Sequence, residues 1–214
     1  MLLKNILTTQ LGELQTNCYI IYCERTKKCA IIDPGAEPEK LVRKIDSLRL
    51  MPEYILLTHG HYDHIGAVKY LLEFYKNYGI KLACHAEEIE TIINPKLNYS
   101  EMFGIPCALP EPNLKLVEGD VIKIGDSVKL EVIHTPGHTF GGCCFKYEDK
   151  VLFSGDTLFN QSIGRTDLYG GSIEKIIAAI REKLFILDDK MMVLPGHGPH
   201  TNIGAEKSHN MYVE

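Results

Sequence analysis

T-H-G-H-Y-D-H-I-G-A, residues 58–67, puts His59, His61, Asp63 and His64 within six consecutive positions. With nine histidines in 214 residues, this spacing arises by chance on the order of one time in a thousand, so coincidence is set aside. Imidazole and carboxylate are borderline-to-hard ligands that suit zinc, iron or manganese. In an extended H-x-H both rings project to the same side of the chain, and Asp63 and His64 follow at the turn into the next element. One loop can thereby serve two neighbouring metal positions.

The surroundings of this loop set the fold class. It follows a short apolar strand at 54–57 and precedes a helical pattern at 65–78, with Gly79 placed to end the helix. Toward the amino terminus, β-rich runs occur at 2–7, 17–23 and 29–32, the last closed by the turn Asp33-Pro34-Gly35. Leu41, Val42, Ile45 and Leu48 recur at helical spacing over 37–48, and Pro38 falls where a first helical turn tolerates it. Toward the carboxyl terminus come a strand at 81–84, a helix at 87–93 and a proline-containing stretch at 94–113. That stretch is read as an irregular excursion, with a lid as the alternative.

Strands are then expected at 114–117, 121–124, 128–134, 143–147 and 151–154, with Gly-Asp turns at 119–120 and 125–126. A helix at 172–184 opens with Ser172 as a partial cap, Lys175 standing where a capping box has Glu, and 191–194 is expected as the last strand. Strand runs and helices alternate twice. Sheets in the middle with helices outside, an α/β sandwich of two similar halves, satisfies that order, and no linker divides residues 1–214, which read as a single domain.

Composition narrows the function classes. A hydrophobic content of 45% suits a chain that buries a full core. The net charge of −5 leaves no basic surplus for phosphates, so nucleic-acid binding is unsupported. The seven cysteines are odd in number and show no CxxC spacing, so they read as reduced, buried thiols. No stretch reads as a signal peptide or a membrane span, and a soluble cytoplasmic protein is expected.

Three further segments share the character of the first: H-T-P-G-H-T at 134–139, F-S-G-D-T-L at 153–158 and L-P-G-H-G-P at 194–199. Each follows an expected strand and carries His138, Asp156 or His197 in a glycine-containing loop, where a sharp turn lets the side chain converge on a common centre. His134 lies four before His138, but Pro136-Gly137 breaks any helix between them, so it reads as a strand-end residue or a support for a ligand. Arg165 and Asp167 read as a pair that orients a ligand, with a surface ion pair as the alternative. His85 reads as structural, His200 and His209 as surface residues, and Cys143 and Cys144 as core packing.

Together with N-C-Y at 17–19, I-D-P-G at 32–35, G-R-T-D-L at 164–168 and T-N-I-G after the last histidine, these segments resemble the metallo-β-lactamase superfamily over nearly the whole chain. Within it they look like the short hydroxyacylglutathione hydrolase-like, or glyoxalase II-like, branch. The resemblance implies a four-layer αββα sandwich with the metal site at one edge of the sheets. It implies two divalent metal ions per chain, zinc first, with iron or manganese also permitted. His59, His61 and His138 would hold the first ion, Asp63, His64 and His197 the second, and Asp156 would bridge them. The implied reaction is hydrolysis of a small-molecule thioester by a water that the ions acidify, with Asp63 as the catalytic residue that orients it.

Asp156 stands where many lactam-cleaving relatives have cysteine, and His61 where flavin-linked diiron oxygen reductases have Glu. The chain departs from the branch at Phe140 and Tyr169, where proline is common, so the rim of its cleft is its own. Seventeen residues follow His197, too few for the helical domain with which full-length glyoxalase II enzymes grip glutathione. The rival enzyme class is a mononuclear iron persulfide dioxygenase using His59, His138 and Asp156. A non-catalytic metal-binding module is the non-enzymatic alternative.

Overall fold

Period-two alternation of apolar residues on the central strands decides which way each side chain faces. The structure, a computed structural model, describes residues 4–213. Its first sheet runs in the order β1 (Ile6–Leu11), β2 (Thr16–Tyr22), β3 (Lys28–Ile32), β4 (Met51–Leu56), β5 (Lys81–His85) and β6 (Leu114–Leu116). β1 to β3 are antiparallel, whereas β3 to β6 are parallel. Parallel neighbours need crossovers. Helix α1 (Pro38–Ser47) makes the first, α2 (Tyr62–Ile65) and α3 (Val68–Phe74) the second, and α4 (Ile89–Ile93) lies in the third.

The second sheet is built from β7 (Val121–Ile124), β8 (Val128–His134), β9 (Cys143–Tyr147), β10 (Val151–Gly155), β13 (Met192–Pro195) and β14 (Thr201–Asn202), in the spatial order 14-13-10-9-8-7. A ribbon of β11 (Leu158–Phe159) and β12 (Ser162–Ile163) stands apart from it. Helix α5 (Ile173–Ala179) and helix α6 (Ile203–His209) complete the chain.

Alternation sorts the strand residues into three apolar layers. Ile20, Ile31 and Ile55 pack with Leu41, Ile45, Val68 and Leu71 of α1 and α3. Their neighbours Ile21, Ile32 and Leu56 face Val132, Phe145 and Phe153 of the second sheet. Cys144, Leu152 and Val193 face Ile176 and Ile203 of α5 and α6. The result is a helix–sheet–sheet–helix sandwich whose halves each carry a mixed six-stranded sheet. All seven cysteines are free and buried, and Cys143 and Cys144 divide between the inner and outer layers.

Several boundaries differ from expectation. The strand expected at 2–7 begins at Ile6, and residues 2 and 3 lie outside the described residues. The helix expected at 65–78 is broken at Gly66-Ala67 into α2 and α3. The backbone of Gly66 approaches Gly35 so closely that a Cβ there would sit 2.3 Å from the Gly35 carbonyl oxygen. Ser172 does cap α5, accepting from the Lys175 N–H, but after Ala179 the helix widens into one π turn, Ile180–Leu184, closed by Phe185 N–H to the Ile180 carbonyl. The strand expected to be last is followed by β14 and α6.

Phe145 is fully buried between the sheets. Phe145→Ala should therefore cost about 3–5 kcal/mol of stability in urea denaturation, with the same secondary structure by circular dichroism.

Candidate metal centre

The loops after β4, β8, β10 and β13 meet at one end of the sandwich, and they bring all seven expected residues together. Asp33, at the end of β3, is held with φ of 51°, so that its carboxylate faces the start of the 58–64 loop. It accepts from the Thr58 N–H at 2.8 Å, from the Thr58 hydroxyl at 2.6 Å and from His64 Nδ1 at 3.0 Å. His61 ends the extended run, and α2 then carries Asp63 and His64 inward. Gly35 lets this loop come near: a Cβ at that position would lie 1.5 Å from the Asp63 carbonyl oxygen.

Three ligand-capable clusters result, each with its donor atoms within 4.8 Å of one another: His59, His61 and His138; His59, His64 and Asp156; Asp63, His64 and His197. Asp156 lies between the outer two, with Oδ1 3.4 Å from His64 Nε2 and Oδ2 3.7 Å from His138 Nε2 and 3.6 Å from His197 Nε2. Burial of this density without polar partners is costly. Yet Nε2 of His59, His61 and His138 and Oδ1 of Asp156 are buried with no hydrogen-bond partner.

The outward nitrogens explain which atoms point in. His138 Nδ1 donates to the Arg165 carbonyl at 2.7 Å, and His197 Nδ1 donates to the Leu14 carbonyl at 3.1 Å. His64 Nδ1 donates to Asp33, so in all three rings Nε2 is the nitrogen turned toward the cluster. The Nε2 atoms of His64 and His197 approach to 3.3 Å, with Asp63 Oδ2 3.4 Å from the first and 3.0 Å from the second. The donor set and its orphaned atoms fit divalent metal ions.

Titration follows the same division. Burial drives His59, His61 and His138 below the usual imidazole range, His61 to about 3, so they remain neutral, as metal ligands must. Burial also opposes a charge on His64, but the carboxylates of Asp63, Asp156 and Asp33 outweigh it and raise its pKa. Burial would raise Asp63 and Asp156, and the facing histidines overcome it, keeping both carboxylates ionised at neutral pH.

The residues expected to support the ligands are placed differently from one another. Arg165 holds His138 through its backbone carbonyl, while its side chain pairs with Asp167 at the surface by two 2.7 Å hydrogen bonds. His134 stacks on buried His85 with ring centroids 3.8 Å apart and bonds to the Phe140 carbonyl, and none of its hydrogen bonds reaches the seven residues. Phe140 and Tyr169 meet edge to face, and Tyr169 N–H donates to the Tyr99 hydroxyl beside the cleft. Residues 94–113 contribute Asn98, Tyr99, Met102 and Phe103 to the wall of that cleft, which has a volume of about 500 Å³.

Glu88 was not legible as a site residue. Fully buried, it accepts from the Gly60 N–H on one oxygen and from the Thr139 hydroxyl and Gly141 N–H on the other, clamping the loops that carry His59, His61 and His138. Burial pushes its carboxyl up to about 7, partly offset by those hydrogen bonds. Its only signal in sequence is a glutamate at the start of a short helix.

Two tests follow from this geometry. A Cβ on Gly196 would lie 2.1 Å from Asp156 Oδ1 and 2.7 Å from the His64 ring, so Gly196→Ala should lower metal content although every ligand remains. Elemental analysis of the purified variant measures this. For Glu88, the folded state keeps a proton that the unfolded chain releases above its ordinary carboxylate pKa. The stabilisation is complete below that value and is lost as pH rises through about 7. In urea titrations of chelator-treated protein, the stability difference between wild type and Glu88→Gln should shrink across that window. The variant should lose about 1–3 kcal/mol at its low-pH end, because an amide cannot accept from all three donors.

The sequence and fold match known proteins. Residues 11–197 match the model of the metallo-beta-lactamase superfamily. The chain is 37% identical over 213 residues to the hydroxyacylglutathione hydrolase GloC of Haemophilus influenzae, covering 98% of both. Among solved structures it is similar to the BLEG-1 B3 metallo-beta-lactamase, with 39% identity, TM-score 0.90 and coverage of 97% of this chain and 99% of that one. It is also similar to TTHA1623 in a di-iron-bound form, with 34% identity, TM-score 0.81 and coverage of 96% and 99%. With its αββα layers and its His/Asp metal-binding cluster, the chain belongs to the metallo-β-lactamase superfamily and shares the metal-dependent hydrolase character of its relatives.

Proposed function

We propose that the chain is a dinuclear metallohydrolase of thioesters, acting on S-(2-hydroxyacyl) conjugates of glutathione or a related thiol. One observation carries the reading: the Asp156 carboxylate stands between two ligand clusters, and the inward Nε2 atoms of His59, His61 and His138 and Asp156 Oδ1 itself are buried with no hydrogen-bond partner. His59, His61 and His138 would hold one ion and Asp63, His64 and His197 the other, with Asp156 available to both. Zinc is the proposed metal. Iron suits the same nitrogen and oxygen donors, as a relative with a di-iron form illustrates.

Two divalent ions in these positions supply an acidified water and polarisation of the scissile carbonyl. The chain's own residues do the rest. Asp63 Oδ2 is fixed by the Thr16 hydroxyl at 3.0 Å and lies 3.0 Å from His197 Nε2, so the ionised carboxylate is positioned to orient the attacking water by accepting its proton. Arg165 lines the cleft, and Asp167 occupies its Nε and Nη2, leaving Nη1 for a carboxylate of the thiol carrier. The near full-length similarity to a hydroxyacylglutathione hydrolase supports this substrate class.

The second cluster separates this reading from an iron persulfide dioxygenase, which needs only His59, His138 and Asp156. His197→Ala should lower metal content from about two ions per chain to about one and cut thioester hydrolysis at least ~10-fold. Elemental analysis and a panel of thioesters, with a β-lactam as comparison, provide the measurements. Undiminished persulfide-dependent oxygen uptake by that variant, with one iron retained, would overturn the proposal.

A further inference from the structure

Tyr62 and Asp63 form a shared wall with a cleft on each side. One is the metal cleft; the other, of about 530 Å³, lies across it and has Leu14 and Phe103 in common with it as well. Both volumes fall in the ~300–1,000 Å³ range of small-molecule sites. Leu11, Leu14, Pro38, Tyr62, Phe103 and Ile105 make the second cleft apolar. Leu14, Phe103 and Ile105 are more than half exposed at its mouth, and such a concentration of large apolar side chains beside a reactive centre marks a ligand surface.

Charge selects the ligand. Among the described residues no lysine or arginine lines this cleft, whereas Glu13 and Glu37 do. Glu37 is engaged by the Gly12 N–H and by Lys40, which leaves Glu13 to repel an anion at the rim. The cation that lines the neighbouring metal cleft, Arg165, suits a carboxylate-bearing thiol carrier. A thioester with its carbonyl at the metals and its carrier toward Arg165 then directs its acyl arm past Asp63.

We propose that the second cleft is an acyl subsite, and that it gives the enzyme a preference for thioesters whose acyl arm is uncharged, apolar and several carbons long. This rests on the thioesterase reading for the identity of the ligand. Phe103 and Ile105 are its specificity-determining residues, and neither is a metal ligand.

The test uses the metal-loaded, full-length protein and two matched series on glutathione, S-acyl thioesters and non-hydrolysable S-alkyl thioethers, each with two to eight carbons. Calorimetric titration of the thioethers should show binding tightening about threefold per methylene. In Ile105→Glu and Phe103→Ser that increment should fall toward one, with metal content unchanged. The kcat/KM of the thioesters should rise with chain length in parallel. Affinity independent of chain length, or an increment that the two variants leave intact, overturns the subsite even if thioesters are hydrolysed. Chain-length-dependent thioether binding without hydrolysis of any thioester upholds the subsite and overturns the thioesterase reading instead.

Discussion

The carboxylate of Asp33 is the contact on which the site depends. It is almost fully buried, yet its two oxygens take three donors, Thr58 N–H, Thr58 O–H and His64 Nδ1. A buried carboxylate is tolerable only when satisfied in this way. Because the donors belong to the start and the end of one loop, the same contact fixes where His59 leaves β4 and which nitrogen His64 presents. A single residue outside the metal cluster thereby sets the geometry of two of its members.

The two sheets must also be held in register, since one supplies His59, His61, Asp63 and His64 and the other His138, Asp156 and His197. Apolar packing between them is non-directional and does not fix a register alone. Hydrogen bonds across the sandwich supply the direction. Asn17 N–H donates to the Gly196 carbonyl at 2.7 Å, the Asn17 amide reaches the Pro195 and Gly198 carbonyls, and the Tyr19 hydroxyl donates to Pro195 at 2.6 Å. On the other flank, Cys143 N–H donates to the Thr58 carbonyl at 2.9 Å. Each of these bonds ends within a few residues of a member of the cluster, so convergence of the loops is built into the sheet ends.

What could be read from sequence follows from the strength of each local signal. Strands 121–124 and 128–134 were legible to the residue because buried and exposed positions alternate between turns, and 143–147 as a short apolar run between a glycine pair and a polar turn. The seven cluster residues were legible because histidine and aspartate recur in glycine-containing loops after strands. β11, β12 and β14 were not, since two-residue strands have no period to detect. Asp33 was visible as part of a turn and of the I-D-P-G segment, with no sign that its carboxylate would be buried, and Glu88 only as a glutamate in a short expected helix. The support for His138 comes from a backbone carbonyl, which every residue carries, so sequence directed attention to the Arg165 side chain instead.

The account's central claim is that Asp156 joins two metal positions into one centre. Elemental analysis of wild type and Asp156→Ala, purified without added metal, tests it most directly. About two ions per wild-type chain, and loss of both metal and hydrolysis in the variant, is the predicted result, because the substitution removes a ligand from each ion and leaves two cations facing each other. A variant that retained two ions per chain and near-normal thioester hydrolysis would contradict it.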